Sequence, residues 1–153
     1  MFVRLVMPGV LLSVCVVVHA LAMTTVIRRL GRSRISTASR FLPTMWVLVR
    51  VALWLLFVHL FEIAVWAYFL ASQLVFPDFK TALYFSAVTY TTVGYGDLVL
   101  PETWRMFAGV EGLTGILMCG WSTSVFYAVV SRIYSAHSVQ TVETIAVERT
   151  DRH

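Results

Sequence analysis

Three long apolar stretches dominate the chain. No charged residue occurs from Leu5 to Ile27 and none from Gly112 to Ser131, and between them Phe41 to Ala71 is interrupted only by Arg50, His59 and Glu62. At about 1.5 Å per residue the first run reaches about 34 Å as a helix, enough to cross the hydrocarbon core of a bilayer. Each stretch therefore predicts a spanning helix. A further helix is expected from Thr81 to Thr91, after a polar connection from Ser72 to Lys80 that contains Pro77 and Asp78. At about 16 Å it is too short to span and descends about halfway. The glycine-containing segment after it must climb back without helical hydrogen bonding, which membrane depth tolerates only where protein buries the backbone or the backbone lines water. The expected class is thus an all-α membrane protein. Its predicted parts are an N-terminal spanning helix (1–27), a basic loop (28–41), a helix, re-entrant loop, helix module (42–133) and a short tail (134–153).

Composition agrees: 59% of residues are hydrophobic and only 13% charged, unlike a water-soluble domain. The net charge of +4 would fit a nucleic-acid partner only if the basic residues formed a patch. Instead they flank the apolar runs. Arg28, Arg29, Arg32, Arg34 and Arg40 follow the first, and Arg132, Arg149 and Arg152 follow the third. By the positive-inside rule both regions face the cytoplasm, which puts the N-terminus outside, the C-terminus inside and the re-entrant loop on the outer face of an inner (plasma) membrane. No nucleic-acid partner is expected. Val18-His19-Ala20 weakly resembles a signal cleavage site, but the apolar run is longer than a usual h-region and the arginines behind it favour retention. Trp46 at the inner interface, and Trp66, Tyr68 and Trp104 at the outer one, are expected to form aromatic belts. Both cysteines, Cys15 and Cys119, fall inside spans, where a thiol acts as a small apolar group.

Within the loop, residues 91–97 read Thr-Thr-Val-Gly-Tyr-Gly-Asp. A cation leaving water needs several oxygens to replace its hydration shell, and backbone carbonyls can supply them. Successive carbonyls point the same way only if the backbone alternates between ordinary and left-handed conformations, and glycine enters the latter without steric cost. Gly94 and Gly96 stand at alternate positions. Val93 and Tyr95 would brace the strand, Thr92 would add an oxygen at its inner end, and Asp97 would sit at the outer mouth. The motif resembles the filter of the potassium channel family, the type example of this chemistry.

The resemblance extends from about Phe41 to Arg132, which is similar to the helix, pore loop, helix module of bacterial potassium channels. Ala82-Leu83-Tyr84-Phe85-Ser86 resembles that family's pore-helix start, and Trp104 an aromatic at the head of its inner helix. It implies a homotetramer that passes K+ passively through a ring of filter carbonyls, with K+ held at Thr92, Val93, Gly94 and Tyr95. No cofactor beyond K+, no enzymatic activity and no partner beyond the lipid bilayer and further copies of the chain are expected. Some members carry a glutamate behind the filter, where this chain has Val88. The first helix is additional to the two-helix members, and no span repeats arginine as a voltage sensor does. A weakly selective cation channel and a non-conducting K+-binding membrane sensor are the rival readings.

Two carboxyls lie inside the membrane, and such groups are functional candidates by default. Glu62 and Glu111 each lie about nine residues from the outer end of their helix, about 14 Å deep and level with the filter. One or both are expected to bond to the pore helix or filter backbone and tune it with pH; the plainer alternative is a protonated glutamate satisfied by a neighbouring helix. His59, one turn from Glu62, is a possible partner or a packing residue. Gly115 and Gly120 are candidate gating hinges by the family resemblance, with close helix packing as the alternative. Ser122, Thr123 and Ser124 follow, and at least one hydroxyl is expected to face a water-filled cavity. In the tail, Val139, Val142 and Ile145 suit a small amphipathic helix, with disorder as the alternative.

Overall fold

The computed structural model of the protein describes residues 2–32 and 41–150. Helix α1 runs Phe2–Arg32, α2 Phe41–Ser72, α3 Phe79–Tyr90 and α4 Arg105–Thr150, the last preceded by a 3-10 turn at Glu102–Trp104. No strand occurs among the described residues. Three stretches are long and apolar enough to cross a membrane: Val6–Arg29, Met45–Ser72 and Glu102–Ser135. Most of the basic loop (28–41) lies outside the described residues. The tail does not begin as a separate element, because α4 continues unbroken to Thr150. The side chains of Val139, Val142 and Ile145 lie outside the described part.

Local chemistry sets the boundaries of α3. Helix α2 ends in a Schellman arrangement: Val75 N–H donates to Leu70 O at 3.2 Å and Leu74 N–H to Ala71 O at 3.0 Å. Leu74 occupies the left-handed position at φ 54°, a place where glycine would be unstrained and a branched residue costs about 1–2 kcal/mol. Asp78 then caps α3, with its side chain accepting from the Thr81 N–H at 2.8 Å and from the Thr81 hydroxyl at 2.9 Å. These bonds, the backbone one first, hold the Asp78 carboxyl below its usual range. The cap explains why α3 starts at Phe79, two residues before the expected Thr81, and why the connection is shorter than Ser72 to Lys80.

Helix α3 packs against both α2 and α4, and α1 packs against α4 and α2. Two apolar clusters divide this arrangement along its length. One joins Leu11 and Cys15 of α1 to Trp66 and Leu70 of α2, Phe85 and Tyr90 of α3, and Phe107 of α4. The other joins Met23 and Val26 to Val51, Leu55 and Val58, and to Val125, Val129 and Ile133. The pairing sets α1 antiparallel to α2 and parallel to α4. Lipid tails are as apolar as these side chains, so packing and interhelical hydrogen bonds, more than expulsion from water, hold such helices together.

The aromatic belt reads differently from expectation. Trp66 is fully buried, its ring edge-on to Phe107 at 5.0 Å between centroids, and Trp104 is also buried. Both are packing residues of the first cluster. Tyr68 and Trp46 are exposed, as belt residues should be, and the Arg50 guanidinium lies over the Trp46 ring at 5.6 Å.

Candidate functional site

The segment after α3 is organised by α3 itself. Thr91 N–H donates to Ala87 O, Thr92 N–H to Thr89 O, and the Val93 and Gly94 N–H groups both donate to Val88 O at 3.0 and 3.2 Å. These bonds use the donors of residues 91–94 and none of their carbonyls. Position 88 thus supports the loop through its backbone. Left-handed φ occurs at Thr92 (61°), Gly94 (52°) and Gly96 (77°), every second residue. Sequence reasoning placed the alternation at Gly94 and Gly96; Thr92 joins it one step earlier, held there by the bond to Thr89. The side chains of Val93 and Tyr95 are 53% and 72% exposed on the single chain. Asp97 does not stand free, because the Tyr84 hydroxyl of α3 donates to it at 2.7 Å. That bond holds the Tyr84 phenol above its usual range. The Asp97 carboxylate is thereby tied to the middle of α3.

The two intramembrane glutamates, alike in sequence, have different surroundings. Both are fully buried. Glu62 Oε2 accepts from the Tyr90 hydroxyl at 2.5 Å, and its Oε1 lies 2.9 Å from His19 Nδ1. His59 faces it at 3.6 Å but hydrogen-bonds elsewhere, to the Tyr90 hydroxyl at 3.2 Å and the Ser122 hydroxyl at 3.0 Å. Ser122 also lies 3.1 Å from His19 Nε2. Glu62 therefore reaches the pore helix through a side chain. Glu111 does not: the Ser86 hydroxyl adjoins its carboxyl, yet neither of its oxygens nor that hydroxyl has a hydrogen-bond partner. Of the two, Glu62 bonds to the pore helix, at the Tyr90 hydroxyl.

Small residues decide the α3–α4 contact. A Cβ built on Gly115 would lie 1.8 Å from the Tyr90 carbonyl oxygen, and one on Gly112 3.5 Å from that of Thr89. Gly115 is thus required by close approach, whereas Gly120 meets nothing within 4 Å. Of the three hydroxyl residues below, Ser122 is buried against the histidines. Thr123 and Ser124 are exposed, each bonded back to a carbonyl one turn earlier.

His19, Tyr90 and Ser122 were not singled out for this cluster from sequence. His19 did leave a signal: it is the one titratable side chain, thiol apart, between Leu5 and Ile27. Ser122 and Tyr90 left none, since which hydroxyl faces a neighbour depends on helix rotation.

A short re-entrant helix between two spanning helices, followed by a strand of alternating backbone handedness, defines a pore-loop membrane protein. A family model described as "Ion channel" matches residues 53–132, just over half of the chain, and the chain belongs to this family. The Drosophila melanogaster potassium voltage-gated channel protein Shal is 35% identical over 79 residues, which are 50% of this chain and 13% of that protein. The potassium channel resemblance seen in residues 91–97 is thus met by the comparison. No solved structure matches the chain. Helix α1 lies outside the family match.

Proposed function

We propose that the chain is the subunit of a potassium-selective channel, in which four copies surround a common axis and each contributes Thr92, Val93, Gly94, Tyr95 and Gly96 to the filter. One observation carries the reading: left-handed φ at 92, 94 and 96 combined with N–H groups already engaged on α3. It is the backbone pattern needed for successive carbonyls to face one axis. A single strand cannot ring an ion, and four provide the ring. The exposed Val93 and Tyr95 side chains suit packing against neighbouring copies. Asp97 adds a ring of carboxylates at the outer mouth, where it concentrates cations. The N-terminus faces outward, and the arginines after α1 together with Arg132, Arg149 and Arg152 face the cytoplasm of the plasma membrane.

The test is K+ flux into liposomes bearing the purified protein, with Na+ as competitor and Gly94→Ala as control. Within the single chain no atom lies within 4 Å of the added Cβ, so there the substitution acts through φ +52°. Expected is K+-selective flux that Gly94→Ala reduces at least tenfold. Equal K+ and Na+ flux would replace the proposal with a weakly selective cation channel; no flux would favour a non-conducting sensor.

A further inference from the structure

Between the two apolar clusters lies a polar layer that the conduction path does not use. One ligand atom from each of His19, His59 and Glu62 can be chosen so that all lie within 4.8 Å of one another. We propose that these residues form a binding site for a borderline divalent transition metal, with Zn2+ as the type ion, clamping α1 to the pore module.

Three observations support the assignment. The first is ligand chemistry: two imidazoles and one carboxylate suit zinc-like ions, whereas Ca2+ and Mg2+ take oxygen ligands. The second is spacing. A tetrahedral ion with bonds of about 2.0–2.1 Å holds its ligand atoms about 3.3 Å apart. Here His19 Nδ1 stands 2.9 Å from Glu62 Oε1 and His59 Nδ1 stands 3.6 Å from the other oxygen, Oε2, and one donor from each of the three residues falls within 4.8 Å of the others. Small side-chain shifts would admit the ion.

The third is the outer support. Both Nε2 atoms face the Ser122 hydroxyl, at 3.1 Å from His19 and 3.0 Å from His59. That hydroxyl has one hydrogen and two lone pairs. With both hydrogens on Nε2, the rings donate to the two lone pairs, and both Nδ1 atoms are left free to coordinate. Ligating histidines are commonly fixed through their second nitrogen in this way. Tyr90 remains beside the carboxylate, so its oxygen or a water can complete the coordination. A lone proton between His19 Nδ1 and Glu62 Oε1 would also join that pair, with His59 held beside it by the Tyr90 and Ser122 hydroxyls, and metal retention separates the two readings. Entry is from the side of His59, whose side chain is 16% exposed while that of Glu62 is 1% exposed.

The site would fasten α1, which lies outside the family match, to α2 beside Tyr90, the last residue of α3. The experiment uses the full chain in lipid nanodiscs, freed of any histidine tag and stripped by chelator, then loaded with Zn2+ or Co2+ and desalted. Expected are about one Zn2+ retained per chain and, with Co2+, the visible absorption of a four-coordinate site. His19→Gln and Glu62→Gln should each lower retention at least tenfold with helix content unchanged. Ser122→Ala, which removes no ligand, should weaken binding about tenfold by freeing both rings. If wild-type protein keeps no metal, or His19→Gln keeps as much as wild type, the cluster holds only a proton and the proposal falls. Should the ligand variants unfold, the wild-type Co2+ spectrum and the Ser122→Ala affinity decide. Neither readout depends on ion flux, so the site and the channel reading stand or fall separately.

Discussion

Tyr90 ends the re-entrant helix and is held in two ways from two sides. Its hydroxyl meets α2 at Glu62 and His59, and Glu62 in turn meets His19 of α1, a layer of side-chain hydrogen bonds. Its carbonyl meets α4 at Gly115, where two backbones touch and no side chain intervenes. The carboxyl on that second side, Glu111, is buried without a hydrogen-bond partner. One support is therefore polar and replaceable group by group, while the other is steric and intolerant of a single methyl. Membrane helices use both devices, small residues for close approach and polar groups as bridges. Here they converge on Tyr90, the last residue of α3.

Substitution separates the two supports, and the steric side should fail hardest. Gly115→Ala places a methyl 1.8 Å from a backbone oxygen that cannot rotate away. Expected is a loss of about 3 kcal/mol or more, or failure to assemble. Gly120→Ala, in open space, should change stability by less than about 1 kcal/mol. Thermal melting in detergent reads both, and a Gly115→Ala protein that melts with wild type would refute the close approach.

On the polar side, Tyr90→Phe removes one hydroxyl and strands Glu62 Oε2, which accepts from it. The expected cost is about 1–2 kcal/mol, within the range of hydrogen bonds between membrane helices. A double-mutant cycle with Glu62→Gln should show coupling between the two positions, and additivity would sever the link between them.

The smallest effect is expected at Glu111. Exchanging an unpartnered buried polar group for an apolar one of similar shape is nearly neutral or stabilising. Glu111→Met should therefore leave the melting temperature within a few degrees of wild type or raise it, whereas Glu62→Met should lower it. Equal losses at both sites would show that Glu111 has a partner after all, and the contrast drawn between the two sides would vanish.

Much of this architecture was legible along the chain. Charge-free runs marked the spans, and Thr92 to Asp97 marked the loop. The identity of the residues that hold the loop was less accessible. Trp66 read as an interfacial anchor and proved to be core, because an indole suits a headgroup region and a packed interior equally well. Glu62 and Glu111 read alike because depth follows from residue count, while partners do not. Gly115 and Gly120 read alike for the same reason.

By itself the sequence determined how many times the chain can cross a membrane, where the backbone must leave helical geometry, and that Gly94 and Gly96 can adopt left-handed φ there, whereas Thr92 joins them only through the fold. Tertiary structure alone decided which faces meet: that His19 turns to Glu62, that Ser122 turns inward while Thr123 and Ser124 turn out, and that Gly115 touches Tyr90. The physical reason is the solvent. In water a helix declares its buried side by an apolar stripe against a polar one. In lipid both sides are apolar, so composition sets depth and leaves rotation to packing.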